Sequence, residues 1–311
     1  MNKGEYSICV VDDEPEIRQM LVDYLQDSEG YRVCSANCGD DALKRVLPST
    51  KVDLILSDIN MPGMRGFELL NRVRERYPAM KRMLITAYNV EDYFELALTH
   101  DVGNIFVKSS PFNFRELSTS LENLLTSNIF GLERYFQGET AHKGPVRSIR
   151  HGLAIHATAH EIATALPRSE RSKKLEVVLV ELLTNALFYG ARDENPDDKG
   201  KWDHDYRVPH EDAIVVSTMI DTDRYAISVV DNGGKLCKRD ILYWLNRQST
   251  HDENGLPMGV FDCHGRGLFI ARRYIDRVII NIDRTRKTEI IILNYTSHVW
   301  QGSKPLYINE L

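Results

Sequence analysis

The stretch YSICVVDDEPEIRQMLVDYLQ, residues 6–26, determines how the first part of the chain folds. YSICVV is β-branched and apolar and predicts a strand, and PEIRQMLVDYLQ has the apolar spacing of a helix. Asp12 and Asp13 lie where the strand ends. The stretch therefore predicts one βα unit with two acids at the carboxyl end of its strand.

The same alternation of strand and helix continues to about residue 126. Further strands are predicted at 31–36, 53–58, 82–87 and 104–108, and further helices at 39–47, 66–77, 91–100 and 114–125. Five consecutive βα units predict an α/β fold with a doubly wound, five-stranded parallel sheet of the flavodoxin-like kind.

The length and composition of the chain limit the kinds of function that can be expected. With 311 residues, 42% of them hydrophobic and 27% charged, we expect a globular protein of two domains. The formal net charge of −6 argues against nucleic acid or an acidic membrane surface as a direct partner. We expect a cytoplasmic protein, because we find no signal peptide, no membrane span and no disulfide framework among the five cysteines.

The rhythm changes after residue 126. Residues 127–146, SNIFGLERYFQGETAHKGPV, contain four glycines or prolines and are predicted to form a linker between a domain at 1–126 and one at 147–311. In the second domain, helical patterns (156–166 and 173–190) precede strand-like AIVVSTMI, YAISVVD, VIINI and EIIIL. This order predicts an α+β layer of mostly antiparallel strands with helices on one face.

Chemically useful side chains are expected at the carboxyl ends of the first domain's strands, where ligands of open parallel sheets bind. Asp12 and Asp13 follow strand one and Asp58 ends strand three, so their like charges call for a cation such as Mg²⁺. Thr86 and Lys108 at strands four and five can contact phosphoryl oxygens. Such a set can form an aspartyl phosphate.

The segments VVDDEPEIRQML, SDINMPGMRGFELL, LITAY and FVK resemble the receiver domain of response regulators. The resemblance implies Asp58 as phosphoacceptor, Asp13 as a direct Mg²⁺ ligand, Asp12 as a nearby acid and the main-chain oxygen of Asn60 as a third ligand. Thr86 and Lys108 would hold the phosphoryl group. The sequence departs from the family pattern at Ile105, where a Tyr or Phe is usual, and in KSSPF, where two serines separate Lys108 from the proline.

The helix VELLTNALFYGA, residues 180–191, carries Glu181 and Asn185 on one face of an otherwise apolar pattern. Asp231 ends a strand before paired glycines in VVDNGGKL, and GRGLFIARRY opens a helix with Gly265 and Gly267. Free N–H groups at a glycine-rich helix start bind phosphate. The three segments in this order predict a nucleotide site.

Together with KTEII, these segments resemble the ATP-binding (GHKL) fold shared by gyrase, chaperone ATPases and histidine kinases, and most of all the anti-sigma-factor serine kinases. The resemblance implies Glu181 as general base, Asn185 as Mg²⁺ ligand and Asp231 on the adenine amino group. Gly233, Gly265 and Gly267 would shape the pocket, Thr288 would join the adenine network, and residues 235–264 would be the lid. Lys235 and Lys287 stand where the family usually has glycine.

We set two further signals aside. His160 and Glu161 resemble a histidine-kinase phosphoacceptor box, but too few residues separate them from Asn185 for a dimerisation hairpin, so an ordinary histidine is favoured. His251, Asp252, Asp262, Cys263 and His264 could form a metal site, but their irregular spacing favours a solvated loop.

The combined interpretation is a two-component response regulator whose output domain uses ATP and Mg²⁺ as an anti-sigma-factor-type protein serine/threonine kinase. The implied partners are an upstream histidine kinase and a STAS-type antagonist or a sigma factor, and analogy suggests a homodimer. The alternative is an ATP-dependent module that binds such a partner without transferring phosphate.

Overall fold

The computed structural model describes residues 2–136, 141–166, 172–195, 200–251, 253, 258, 266–296, 300 and 302–311. The chain divides into two compact units, Met1–Ile129 and Phe130–Leu311. Residues 130–146, which the sequence analysis assigns to a linker, thus belong to the second unit.

The first unit is built on a five-stranded parallel sheet. Its strands are β1 (Ser7–Val11), β2 (Arg32–Ala36), β3 (Leu54–Asp58), β4 (Lys81–Thr86) and β5 (Asn104–Val107). They pair in parallel in the order β2-β1-β3-β4-β5. Strands β1 and β3 are buried along their whole length, as expected for central strands that helices cover on both faces. The predicted doubly wound, flavodoxin-like parallel sheet is confirmed for this unit.

The helices of the first unit follow the strands one by one. They are α1 (Pro15–Asp23, continued by a π-helical turn at Tyr24–Ser28), α2 (consecutive short segments Gly39–Asp41, Ala42–Val46 and Leu47–Ser49), α3 (Gly66–Arg76), α4 (Phe94–His100, preceded by the 3₁₀ turn Val90–Tyr93) and α5 (Phe114–Thr126). A further 3₁₀ turn, Lys3–Glu5, precedes β1. Because every strand runs in the same direction, all five carboxyl ends lie along one edge of the sheet.

The second unit contains a mostly antiparallel sheet. Its described strands are β6 (His142–Lys143), β7 (Arg147–Ile149), β8 (Ile214–Ile220), β9 (Arg224–Asp231), β10 (Arg277–Asp283), β11 (Lys287–Tyr295) and β12 (Leu306–Glu310). Within this unit the order is β12-β10-β11-β9-β8, with β6 and β7 both pairing with β8, and only β12 runs parallel to its neighbour β10.

The described helices of the second unit pack on one another and on its strands. They are α6 (Ala154–Ala165), α7 (Ser172–Thr184, continued as a π-helix at Asn185–Ala191), α8 (Lys238–Ser249) and α9 (Arg266–Tyr274), with a 3₁₀ turn at Leu132–Tyr135. On β8, Ile214 and Val216 are fully buried while the intervening Val215 is only half-buried. This alternation marks one face as the core side, as the period of two in a strand requires.

None of the helices in the described residues combines the length and the apolar character that crossing a bilayer demands. Cys9, Cys34, Cys38 and Cys237 are free thiols, and Cys9 and Cys34 are direct neighbours on β1 and β2. Cys263 lies outside the described residues.

Candidate functional site

Two acids and a lysine meet at the carboxyl edge of the first unit's sheet. Lys108, which follows β5, places its Nζ 2.8 Å from Asp12 Oδ2 and 2.6 Å from Asp58 Oδ1. Asp12 is fully buried, and the side chains of Lys108 and Asp58 are more than nine-tenths buried. Residues separated by up to 96 positions in the sequence thus form one charged cluster because the carboxyl ends of β1, β3 and β5 lie along the same edge of one parallel sheet.

Burial and charge compete in this cluster. Burial raises the pKa of Asp12, although the Lys108 ammonium and the main-chain N–H of Glu14 oppose the shift. Burial alone would lower the pKa of Lys108, but its hydrogen bonds to Asp12 and Asp58 and their charges together raise it. Lys108 is therefore held in its cationic form between the two carboxylates.

The same cluster has donor atoms suited to magnesium. Asp12 Oδ2 is fully buried, and the Lys108 ammonium faces it at 2.8 Å. A buried carboxylate oxygen is suited to a hard cation. The described side chains include no group of three His, Cys, Asp or Glu arranged around one point. A third protein oxygen would therefore come from the main chain, as predicted at Asn60.

The remaining predicted residues of this site lie on the same edge. Asp13 is half-buried directly after Asp12, and the main-chain N–H of Asn60 donates to Asp58 Oδ2 at 2.6 Å. Thr86 is buried at the end of β4, and its Oγ1 accepts the main-chain N–H of Tyr88 at 3.1 Å. These positions agree with the predicted roles without testing them.

The two departures from the family pattern also have defined places. Ile105 is fully buried in β5, and its side chain has no polar group. In the KSSP segment, the peptide bond between Ser110 and Pro111 is cis. In the usual family pattern the proline directly follows the lysine, so this bond lies two residues further along the chain. Ser109 Oγ donates to the main-chain oxygen of Pro111 at 2.8 Å.

The sequence analysis missed the role of Gly66. A Cβ at this position would lie 2.2 Å from the main-chain oxygen of Asp58 and 2.9 Å from a Leu84 methyl group. Only glycine allows helix α3 to start this close to β3. In the sequence, Gly66 is a single glycine eight residues after Asp58. A single glycine does not indicate which atoms lie beside it in the fold.

In the second unit, the helix that carries Glu181 and Asn185 meets the start of α9. A Cβ on Gly267 would lie 2.9 Å from Asn185 Nδ2 and 3.4 Å from Glu181 Oε2. Asn185 begins the π-helical continuation of α7. The structure thus brings three predicted residues from two separate segments together, while Gly265 lies outside the described residues.

Asp231 ends β9 in a tightly packed corner. Its carboxylate faces Gly190, where a Cβ would approach it to 2.6–2.9 Å, and a Cβ on Gly233 would lie 1.9 Å from the main-chain oxygen of Gly190. The N–H of Gly233 donates to Asp231 Oδ1 at 3.0 Å. Burial raises the pKa of Asp231 to about 6, while main-chain hydrogen bonds from Gly233 and Gly234 oppose the shift. Sequence reasoning did not identify Gly190, which only ends an apolar helical stretch.

Thr288 lies directly opposite Asp231 in the antiparallel register of β9 and β11. Its side chain is buried, and its Oγ1 has no hydrogen-bond partner within the described residues. Such a hydroxyl costs free energy unless a further group binds it. An orphaned hydroxyl beside a buried carboxylate fits a ligand with donor and acceptor atoms on one edge.

The two lysines that stand in place of glycine lie at the border of this corner. Lys235 forms an exposed ion pair with Asp193 at 2.9 Å, and Lys287 Nζ lies 4.4 Å from the centroid of the Phe130 ring. Gly234, the residue before Lys235, has a positive φ of +56°, which glycine adopts readily. The expected lid, residues 235–264, contains helix α8, and much of it after residue 251 lies outside the described residues.

The signals that were set aside remain separate from both sites. His160 is exposed on α6, and its Nδ1 lies 3.3 Å from Glu176 Oε2. Of the candidate metal group in the lid, Asp252, Asp262, Cys263 and His264 lie outside the described residues, so only His251 has a described position.

Two cavities among the described residues do not coincide with these polar clusters. One of about 640 Å³ lies at the amino-terminal edge of the first sheet between Tyr6, Val52 and Met80. Another of about 570 Å³ lies on the face of the second sheet that carries Ser228 and Glu289. Neither cavity is lined by the residues predicted for the two sites.

Comparison with known proteins agrees with the geometry of the first unit. Residues 8–122 match the family described as response regulator receiver domain. The chain is 48% identical over 74 residues to the sensor histidine kinase RcsC of Escherichia coli, which is 24% of this chain and 8% of that protein. It is 34% identical over 110 residues to the response regulator protein FleR of Pseudomonas aeruginosa, which is 35% of this chain and 22% of that protein.

Among solved structures, the chain is similar to the response regulator protein TrrA of Thermotoga maritima, in complex with Mg²⁺ and BeF. The identity is 39%, the TM-score is 0.35, and the match covers 39% of this chain and 99% of that chain. The chain spans less than a quarter of the length of the two curated relatives named above. The family match concerns residues 8–122.

Proposed function

Because residues 8–122 form the receiver domain of a two-component response regulator, we propose that Asp58 accepts a phosphoryl group and that the second unit is an ATP-dependent output module. We further propose that this output is protein serine/threonine kinase activity of the anti-sigma-factor type. The donor would be an upstream histidine kinase, and the acceptor a serine or threonine on a STAS-type antagonist, in a cytoplasmic partner-switching pathway.

The observation that supports the receiver chemistry is the position of Lys108 between Asp12 and Asp58. In the transfer, an Asp58 carboxylate oxygen forms a bond to phosphorus as the donor's P–N bond breaks, and the histidine nitrogen keeps the electron pair. Lys108 can then follow the charge from the carboxylate to a phosphoryl oxygen. Thr86, buried at the next strand end, offers its hydroxyl hydrogen to a second phosphoryl oxygen.

Asp13, Asp58 and the main-chain oxygen of Asn60 would hold Mg²⁺, with Asp12 as the adjacent acid. When bound, the ion supplies positive charge against the phosphoryl oxygens. Asp12 contributes a buried negative charge that favours cations at this edge, as the Lys108 ammonium 2.8 Å from its Oδ2 illustrates. The Asn60 N–H meanwhile fixes the orientation of the Asp58 carboxylate.

The observation that supports the nucleotide site is the orphaned Thr288 hydroxyl opposite Asp231. Asp231 would accept a hydrogen bond from the adenine amino group, and Thr288 would complete the hydrogen bonds on the same edge. Gly233 lets the chain after Asp231 pack closely on Gly190, and Gly267 lets the start of α9 lie close to Asn185 and Glu181. Gly265 would join Gly267 in shaping the pocket. When bound, ATP supplies the transferable γ-phosphoryl group.

Glu181 and Asn185 supply the polar face of α7 next to α9. Asn185 would contribute its amide oxygen to a nucleotide-bound Mg²⁺. Glu181 would take the proton from the attacking hydroxyl of the partner protein at Oε1 or Oε2. Both roles need the two side chains on one face of the helix. The proposal is supported by the fact that both side chains lie close to Gly267, within 3.4 Å of where its Cβ would be.

The receiver proposal is tested by incubating the chain with acetyl phosphate and Mg²⁺ and analysing the labelled residue. We expect labelling of the wild type, none for Asp58→Asn, and wild-type labelling for Asp40→Asn, a matched exposed acid on α2. Labelling of Asp58→Asn equal to that of the wild type would disprove the assignment.

The output proposal is tested in two steps. Calorimetry with ATP and Mg²⁺ should detect binding that Asp231→Asn and Thr288→Val weaken, and the absence of any binding would end the assignment. Incubation with labelled ATP and STAS-type proteins should then label a partner serine or threonine, and Glu181→Gln should abolish that label. Binding without transfer would favour the partner-binding alternative.

A further inference from the structure

Asn60 connects the phosphoacceptor to a tyrosine outside the predicted site. Its main-chain N–H donates to Asp58 Oδ2 at 2.6 Å, and its side-chain Nδ2 donates to Tyr93 Oη, also at 2.6 Å. One residue therefore holds the Asp58 carboxylate with its backbone and a distant hydroxyl with its side chain. The two hydrogen bonds restrain Asn60 from opposite ends.

Tyr93 occupies the junction between two helical segments. The 3₁₀ turn Val90–Tyr93 starts at Asn89, whose side chain accepts the N–H of Glu91, and α4 starts at the residue after Tyr93. Val90 and Phe94, on either side, are buried. The backbone around Tyr93 is thus fixed by capping and packing, so its hydroxyl offers Asn60 a stationary partner.

The Tyr93 ring belongs to a small aromatic cluster. It lies 6.0 Å from the ring of Phe67 near the start of α3, and Phe67 lies 5.8 Å from the ring of His100 at the end of α4. Phe67 is buried. The cluster connects both ends of α4 to the loop that carries Asn60.

We propose that Tyr93 is a positioning residue for phosphorylation of Asp58: its hydroxyl holds Asn60 so that the main-chain oxygen of Asn60 faces the site, and it transmits a change at the site to α4. This inference rests on the proposed phosphorylation of Asp58. The hydrogen bond between Tyr93 and Asn60 connects the site to α4. Ile105, which is apolar and fully buried, does not provide such a contact.

The loss of one hydroxyl tests the positioning role. Tyr93→Phe retains the ring and its packing on Phe67 but removes the partner of Asn60. We expect the Mg²⁺ concentration for half-maximal labelling by acetyl phosphate to rise about three- to tenfold, as for one lost hydrogen bond. The acetyl phosphate concentration for half-maximal labelling should not change, because Tyr93 contacts the Asn60 side of the site.

Tyr77→Phe is the matched control, since Tyr77 is also half-buried in this unit but follows α3 at the opposite end of the sheet. A second readout needs no phosphorylation. In the chain labelled with ¹³C at the tyrosine ring carbon that bears the hydroxyl, Mg²⁺ alone should shift the Tyr93 signal and leave the Tyr77 signal unchanged.

The outcomes separate the inference from the proposed function. If the wild type is not labelled at Asp58, the proposed function fails and the inference fails with it. If the wild type is labelled but Tyr93→Phe has the Mg²⁺ requirement of Tyr77→Phe, or if the Tyr93 signal does not respond to Mg²⁺, only the positioning role is overturned. A raised Mg²⁺ requirement together with a responsive Tyr93 signal supports it.

Discussion

Asp231 and Thr288 face each other across strands β9 and β11, and both side chains are more than nine-tenths buried. The carboxylate is held by the N–H of Gly233, whereas the hydroxyl has no hydrogen-bond partner in the described part of the chain. The two residues therefore combine a buried charge with an unsatisfied hydroxyl, and each state costs stability in the absence of a ligand.

Replacing Thr288 by valine should separate stability from nucleotide binding. Valine fills the same volume without the unsatisfied hydroxyl, so the second unit should become more stable by about 1 kcal/mol without nucleotide. ATP affinity should fall by about five- to tenfold, because one hydrogen bond is lost. Urea unfolding followed by tryptophan fluorescence measures the stability, since Trp202, Trp244 and Trp300 all lie in the second unit.

For Thr288→Val, Thr218→Val on β8 is a suitable control, since Thr218 is only half-buried. A loss of stability in Thr288→Val with unchanged ATP affinity would show that the hydroxyl has a structural partner and no role in binding.

The stability of the second unit should depend on pH through Asp231. Burial raises its folded pKa to about 6 from 3.8, so its contribution to stability is complete below pH 3.8 and is lost as the pH rises through about 6. Asp231→Asn removes this loss. The variant should match the wild type near pH 4 and exceed it by about 3 kcal/mol above pH 7.

Tryptophan-monitored urea unfolding between pH 4 and 8 measures this difference. A constant difference between wild type and Asp231→Asn across that range would contradict a raised pKa. The same variant should have weaker ATP affinity, because an amide oxygen accepts a hydrogen bond less strongly than a carboxylate.

Gly190 should be essential for the same corner although the sequence gives little sign of it. A Cβ there would meet the Asp231 carboxylate at 2.6–2.9 Å, so Gly190→Ala should displace that carboxylate and lower ATP affinity at least about tenfold. Gly200→Ala is the matched control, because its Cβ would meet no atom within 4 Å. Equal ATP affinity of the two variants would show that Asp231 does not define the pocket.

The first unit could be predicted almost entirely from the sequence. Its strands alternate with helices whose apolar spacing is regular, so each predicted element lies within a few residues of the observed one, as with β3, predicted at 53–58 and found at Leu54–Asp58. In the second unit, β6 and β7 have two and three residues, too few for a period of two to be visible.

The sites were predictable to the extent that their residues follow strands or start helices. Asp12, Asp58 and Lys108 each stand at a strand end, and the parallel topology then brings them together. Gly66, Gly190 and Tyr93 were not predictable in this way. Their roles depend on how closely two segments approach, and no periodic pattern records a distance between segments that are separated in the chain.

Lys108 should stabilise the first unit as well as serve its chemistry. It is the cation that lies between the Asp12 and Asp58 carboxylates, so Lys108→Met leaves two buried like charges side by side. We expect a loss of about 3 kcal/mol in the absence of divalent ions. Mg²⁺ should restore part of this loss, because the ion replaces the missing positive charge. Acetyl phosphate labelling should fall at least about tenfold even with Mg²⁺ present, because a charge-assisted hydrogen bond is lost.

The stability of the first unit can be measured by hydrogen exchange of the β3 peptide, with EDTA or with Mg²⁺. Tryptophan fluorescence does not serve here, because the first unit contains no tryptophan. Lys81→Met is the control, because Lys81 starts β4 at the opposite edge of the sheet. Protection of β3 should fall in Lys108→Met with EDTA, recover partly with Mg²⁺, and remain unchanged in Lys81→Met. If Mg²⁺ gives Lys108→Met no protection, the acids do not form a cation site, and Asp12 acts only as the partner of Lys108.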